Sequence, residues 1–413
     1  MIPSRATAGF LTVVVGLCAC ESSGTSPLET PTVRLAVDFE GASLESWSQS
    51  PPRTFNLRVR KDTNSDFARW FSFRVMDGGG EDLTFRIVNA GELSAADAFS
   101  FNRPAVSTDG GVTWDRVASA SYDAGVFSFD LTPPNGEVWI ALGPVYNFSR
   151  WEALVDEIRD HSMVDSLEVI GQTLQGRSLH LVKVTDPSVH DSLKGAVWGI
   201  ARQHPAEVGG SWMAEGLIRW VLSDEPQAKE LRRQAVFYLV PFMNPDGVAL
   251  GNYRVNSVGA NLNREWANQD PSTAPTVAAV ASRIEALRAS GRRFEFFVDF
   301  HAYSSLRKNF FFYSGTDRAS PGEVQEIEAL MARFQELNGD FTRTGSAPSS
   351  DDTRLARGWA FETSGVQAVT FECSYQDITY GPRAGTYMTP DRYQELGEGL
   401  GKSIAEVSFG VGG

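Results

Sequence analysis

Near Tyr146-Asn147-Phe148-Ser149 the hydrophobic period of the chain changes, and that change restricts the fold more than any other feature. Before it, from about Thr32 to Pro144, short runs alternate apolar and polar residues: Phe55-Asn56-Leu57-Arg58-Val59, Phe71-Ser72-Phe73-Arg74-Val75, Leu83-Thr84-Phe85-Arg86-Ile87 and Phe127-Ser128-Phe129-Asp130-Leu131. Period two, bounded by turns such as Asp77-Gly78-Gly79-Gly80, predicts antiparallel strands and a small β-sandwich, with Trp70 and Trp114 in its core. After the change, strand candidates (Leu179–Val184, Ala196–Ile200, Ala235–Pro241, Phe294–Phe300, Phe310–Tyr313, Val366–Phe371) alternate with helical stretches, notably Thr276–Ser290, Pro321–Leu337 and Asp391–Val407. That alternation predicts an open mixed α/β sheet with helices on both faces. Trp151 to Ile158 reads as its first helix, with Ser149 as the N-cap.

A chain of 413 residues, 42% of them hydrophobic, holds enough apolar surface for two such domains. Its formal net charge of -14 argues against a nucleic-acid partner, because phosphate binding needs a cationic face. Residues 1–19 combine Arg5 with an uncharged stretch from Ala6 to Leu17, too short to span a bilayer, and read as an export signal. The ending Leu17-Cys18-Ala19-Cys20 resembles a bacterial lipobox, which makes Cys20 the lipidated first residue of the mature chain and its only expected membrane attachment; the alternative is an ordinary signal peptide with an incidental cysteine. With Cys20 acylated, Cys373 is left without a disulfide partner. The expected organisation is therefore a signal over 1–19, a polar tether over 20–31, the sandwich over 32–146 and the α/β domain over 147–413.

Chemistry concentrates in the second half, since the sandwich contains no histidine. Gly195 to Ile200 reads as a buried strand that delivers His204 from its C-terminal end, and Glu207, three residues on, opens a helix. His301 ends the run Phe294-Glu295-Phe296-Phe297-Val298-Asp299-Phe300. Two imidazoles and one carboxylate in this pattern suit a catalytic Zn²⁺, because three protein ligands leave the fourth position to water. Glu372, at the end of another buried strand, is the candidate general base. Arg254 and Arg264, between the first and third ligands, could be solvated residues in internal ion pairs or could serve a developing oxyanion and a substrate carboxylate.

In order along the chain, His204-Pro205-Ala206-Glu207, Asn244-Pro245-Asp246-Gly247, Gly251-Asn252-Tyr253-Arg254, Leu262-Asn263-Arg264-Glu265-Trp266, Phe300-His301-Ala302-Tyr303 and Thr370-Phe371-Glu372 resemble the motif set of the zinc metallocarboxypeptidases, in the branch that includes the cytosolic carboxypeptidases. The likeness covers about residues 150 to 408, and runs like Trp70-Phe71-Ser72-Phe73 resemble the domain that precedes the catalytic domain in that branch. The resemblance implies the zinc carboxypeptidase fold and one zinc ion held by His204, Glu207 and His301, with Glu372 as base. It implies further that Arg254 polarises the scissile carbonyl, that Asn263 and Arg264 grip the terminal carboxylate of a peptide or protein substrate, and that Tyr303 lines the cleft.

One departure concerns the mobile tyrosine that many members place some twenty residues before the base: no Tyr occurs between Tyr313 and Tyr375. The floor of the side-chain pocket, roughly fifteen residues before the base, corresponds to Arg357, with Arg354 one turn earlier. A buried cation there favours an acidic C-terminal residue, whereas the alternative sets both arginines on a solvated helix face. The expected protein is thus an exported, lipid-anchored zinc carboxypeptidase; the rival readings are an amidohydrolase deacylating a small amino-acid derivative and an inactive cell-surface binding protein.

Overall fold

In the computed structural model, which describes residues 33–50, 53–134, 136–314, 320–350 and 352–412, the alternating runs pair into two five-stranded sheets. The signal, the tether and Cys20 lie outside the described residues. The strands are β1 (Arg34–Ala36), β2 (Ser46–Ser50), β3 (Thr54–Arg58), β4 (Ser72–Met76), β5 (Leu83–Ile87), β6 (Ala105–Ser107), β7 (Asp115–Arg116), β8 (Ala120–Asp123), β9 (Val126–Leu131) and β10 (Val138–Ala141). One sheet runs β1-β4-β10-β6-β7 and the other β2-β3-β5-β9-β8. Their apolar faces meet through a file of rings: Phe85 stacks between Phe55 and Phe129 at centroid distances of 5.5 and 5.3 Å, with Phe73 of the facing sheet 5.6 Å away. Pairing is antiparallel except between β3 and β5, which are parallel because the chain crosses to the other sheet as β4 between them.

The second half forms an eight-stranded sheet from β11 (Val164–Gln172), β12 (Ser178–Val184), β13 (Gly195–Ala201), β14 (Ala235–Val240), β15 (Phe294–Tyr303), β16 (Phe310–Tyr313), β17 (Ala347–Pro348) and β18 (Ala368–Ser374), in the order β11-β12-β14-β13-β15-β18-β16-β17. The four central strands, β14, β13, β15 and β18, are parallel. Every residue of β13 and β14 is buried, as strands covered on both faces require. Between the strands run α1 (Phe148–Ile158), α2 (Val208–Leu222), α3 (Pro226–Gln234), α4 (Pro245–Ala249), α5 (Pro275–Ala289), α6 (Pro321–Leu337), α7 (Ala356–Ser364) and α8 (Pro390–Phe409). Met213, Leu217, Phe334 and Leu400 pack helices α2, α6 and α8 on one face in a core continuous with that of the sandwich. Val277, Ile284 and Trp359 pack α5 and α7 on the other face. The described residues from Val33 onward consequently form one compact unit.

Two local readings are corrected, and one close approach is added. The first helix is capped by Asn147, whose side chain accepts the Arg150 N–H, while the Ser149 hydroxyl donates to Glu40. β15 and β18 run three residues further than expected, so His301 and Glu372 lie inside strands and face each other in register. Helices α2 and α8 cross at Gly216 and Gly397 so closely that a Cβ on Gly397 would sit 1.9 Å from the Met213 carbonyl oxygen.

Candidate active site

The C-terminal ends of β13, β15 and β18 open onto one cavity of about 430 Å³. His204, Glu207, His301, Glu372, Arg254, Asn263, Arg264, Tyr303 and Arg357, every site residue read from the sequence, line it. Parallel strands produce this gathering, because their loops all emerge at the same edge of the sheet.

At its centre both imidazoles turn Nδ1 toward Glu207. His204 Nδ1 lies 2.7 Å from Oε1, and His301 Nδ1 lies 2.6 Å from Oε2. Nitrogen or oxygen atoms of these three buried residues all fall within 4.8 Å of one another. The outward ring nitrogens are occupied, His204 Nε2 by Asn261 Oδ1 at 3.1 Å and His301 Nε2 by Asp299 Oδ2 at 2.8 Å. Such outer contacts fix the tautomer and leave Nδ1 as the inward donor. Gln203 braces the arrangement, donating to Asp299 Oδ2 at 2.7 Å and accepting from the Trp266 indole at 2.8 Å.

Electrostatics suit a cation. Burial holds His204 down to about 4, so its ring is neutral with a lone pair to offer. Burial opposes a charge on His301 too, yet Asp299 and Glu207 outweigh it and lift its pKa well above the usual imidazole value. Glu207 is ionised, burial being overcome by the two rings. Glu372 is pushed up to about 8, first by burial and then by the negative charges of Glu207 and Asp299, which the cationic neighbours His301 and Arg254 offset only in part. Its Oε2 is buried with no hydrogen-bond partner among the described residues. Three carboxylates around two imidazoles, with both Nδ1 atoms inward, make a donor set that fits a divalent metal of the zinc type.

The remaining residues surround this cluster. Asn263, buried, sets Nδ2 3.1 Å from His301 Nε2 and accepts the Ala356 N–H at the start of α7. Arg264 stands at the rim, its pKa lowered by burial and by Arg254 and Arg354 nearby. Tyr303 is 38% exposed and tilts against Phe310. Arg357 and Arg354 part company. Arg357, 1% exposed, reaches the Ser314 hydroxyl at 3.1 Å and the Ser350 carbonyl at 3.3 Å, beside Phe312 and Thr370 of the cavity. Arg354 faces solvent, paired with Asp352 at 2.7 Å.

The sequence reading missed Asp299, Asn261 and Gln203, although Asp299 stands two residues before His301, the spacing that puts two side chains on one face of a strand. It also missed the contribution of the sandwich, whose Ala95 reaches the cavity wall and whose Phe67 ring lies 5.4 Å from the Arg254 guanidinium carbon.

Residues 151–393 match the family model for zinc carboxypeptidase, and residues 35–142 match that for the cytosolic carboxypeptidase N-terminal domain. Cytosolic carboxypeptidase 6 of Mus musculus is 26% identical over 89% of this chain and 72% of its own length. A metallo-carboxypeptidase from Burkholderia cenocepacia superposes with a TM-score of 0.83 and 29% identity, over 91% of this chain and 98% of its own. One from Pseudomonas aeruginosa, solved in complex with (2-guanidinoethylmercapto)succinic acid, has a TM-score of 0.81 and 29% identity over 90% of this chain and 98% of its own. On the motifs, the fold and these matches, the chain belongs to the zinc carboxypeptidase family and carries the N-terminal domain of its cytosolic carboxypeptidase branch.

Proposed function

We propose that this carboxypeptidase releases single residues from the C-termini of peptides or proteins, with one zinc ion held by His204, Glu207 and His301. The convergence of both Nδ1 atoms on Glu207, with Glu372 in register beside His301 on the neighbouring strand, carries the reading. Zinc, when bound there, supplies Lewis acidity to the scissile carbonyl and acidifies water. Glu372 takes the proton of the attacking water and returns it to the departing amine; its unpartnered Oε2 supports that role. Arg254 meets the developing oxyanion, and Asn263 with Arg264 grips the terminal carboxylate, a group that a paired amide and guanidinium recognise through several N–H donors. Tyr303 borders the entering chain.

The same reading gives the enzyme a preference for C-terminal Glu or Asp, supported by the burial of the Arg357 guanidinium at the cavity wall. It also places the enzyme outside the cytoplasm, anchored through lipidated Cys20; the leader composition supports this, and among the described residues no helix is long and apolar enough to cross a membrane. A dicarboxylate such as the one bound by the Pseudomonas aeruginosa relative should compete with substrate.

Residue release from a panel of peptides tests the reading. Glu372→Gln keeps shape and loses the base, so its turnover should fall by at least about 10² while zinc stays bound. Near-normal turnover would make Glu372 structural and sink the mechanism.

A further inference from the structure

The residue that meets the oxyanion is held in place by the other half of the chain. Arg254 lies in the segment between α4 and Leu262, and the backbone there is fastened to the sandwich loop that follows β3. Asp62, 6% exposed, accepts three successive N–H groups: Tyr253 on Oδ1 at 2.6 Å, Arg254 on Oδ2 at 2.7 Å and Val255 on Oδ2 at 3.2 Å. Thr63 adds its N–H and hydroxyl to Asn252 Oδ1, both at 3.1 Å. Arg60 donates to the Leu250 carbonyl.

Two glycines let the backbones meet. Gly251, at φ +65°, would place a Cβ 2.4 Å from the Ala42 carbonyl oxygen, and Gly259, at φ +87°, one 2.4 Å from that of Asn64. Beyond Asp62 the loop closes on itself through the Asp62 N–H and the Phe67 carbonyl at 2.7 Å. That closure presents the Phe67 ring to the Arg254 guanidinium, 5.4 Å from centroid to carbon.

We propose that the Asp62–Phe67 loop of the sandwich is a positioning element for Arg254, in which Asp62 fixes the backbone and Phe67 aims the guanidinium into the cavity. The proposal rests on the reading of Arg254 as the oxyanion group. An electrostatic donor assists only where it already points at the charge that develops, so a displaced arginine is lost to the transition state even though it is chemically intact. The sandwich is on this account part of the active site: the two oxygens of the Asp62 carboxylate receive three converging N–H donors, which an amide could not accept at both of its terminal atoms.

The test is a pair of double-mutant cycles on the zinc-loaded full chain, with peptide hydrolysis and zinc content as readouts. Asp62→Asn turns an NH₂ group toward an N–H donor and should lower kcat by about 10-fold or more with KM nearly unchanged, because the interaction is made in the transition state. Phe67→Ala should lower kcat by about 3-fold, the scale of an exposed cation–π contact. In an Arg254→Ala background neither change should lower kcat further, and zinc content should match the wild type throughout.

A loss of kcat from Asp62→Asn that persists undiminished in the Arg254→Ala background would overturn the proposal, as would wild-type kcat in Asp62→Asn. If Asp62→Asn yields no folded protein, Phe67→Ala decides alone, because its ring is 39% exposed; wild-type kcat there is then the overturning result. Wild-type kcat in Arg254→Ala itself would instead sink the oxyanion reading, which separates the two failures.

Discussion

Asp299 offers a change of charge with almost no change of shape. Its Oδ2 takes both available donors, His301 Nε2 at 2.8 Å and Gln203 Nε2 at 2.7 Å, while its Oδ1 is buried without a hydrogen-bond partner among the described residues. In Asp299→Asn the amide oxygen can keep the Oδ2 position and both donors, and the NH₂ falls where Oδ1 now stands. What is lost is one negative charge behind the imidazole proposed as a metal ligand. Outer contacts of this kind are worth about 10- to 100-fold in metal affinity, or roughly 1.4–2.8 kcal/mol.

Proton competition modulates that deficit, and its sign follows from the structure. Asp299 and Glu207 raise the His301 pKa against burial, so the wild-type ring holds a proton that the metal must displace. The variant holds it less tightly. Raising the pH therefore relieves the wild type more than the variant, and the affinity deficit should widen from neutral to mildly alkaline buffer. Zinc affinity measured against a competing chelator at several pH values reads both the size and the trend. Equal affinities across that range would refute the claim that Asp299 tunes His301, and a deficit that narrows with pH would refute the charge argument while leaving a packing role.

The sequence disclosed more of the site than of the fold's edges, for a physical reason. Strands buried on both faces are continuous apolar runs, so β13, β14, β15 and β18 are visible, and residues at their ends inherit a common location. β11 was invisible: it carries Asp165 and Glu168, is interrupted by two register shifts and buries no residue fully, which leaves no period to read. α3, with the sequence Pro-Gln-Ala-Lys-Glu-Leu-Arg-Arg-Gln, has too few apolar residues to declare a face. Asn147 and Ser149 both suit an N-cap, and Glu40, far away in sequence, decides between them by engaging Ser149. Asp62 belongs to the same class: a carboxylate after Arg60-Lys61 looks like part of a solvated charge run, and only the close approach of two distant backbones makes it an internal acceptor.

Three further outcomes are expected. Gly397→Ala drives a Cβ into the Met213 carbonyl, 1.9 Å away, and should destabilise the chain by about 1–3 kcal/mol in a denaturant titration; an unchanged midpoint would mean that α2 and α8 separate freely. Cys20→Ser should move the protein from the detergent phase to the aqueous phase, because the acyl chains supply the anchoring free energy; unchanged partitioning would end the lipoprotein proposal. The last concerns Arg357, whose guanidinium reaches the cavity from α7, while the roles proposed for Arg254 and Arg264 engage groups that every peptide possesses. Truncating a desolvated charge pair costs about 2–5 kcal/mol, so Arg357→Ala should lower kcat/KM on a Glu-terminated peptide by roughly 30-fold or more and spare a Phe-terminated one. A wild-type enzyme that releases Phe or Lys faster than Glu would remove the acidic preference and leave the peptidase assignment standing, because the proposed carboxylate clamp and metal cluster do not depend on the side chain released.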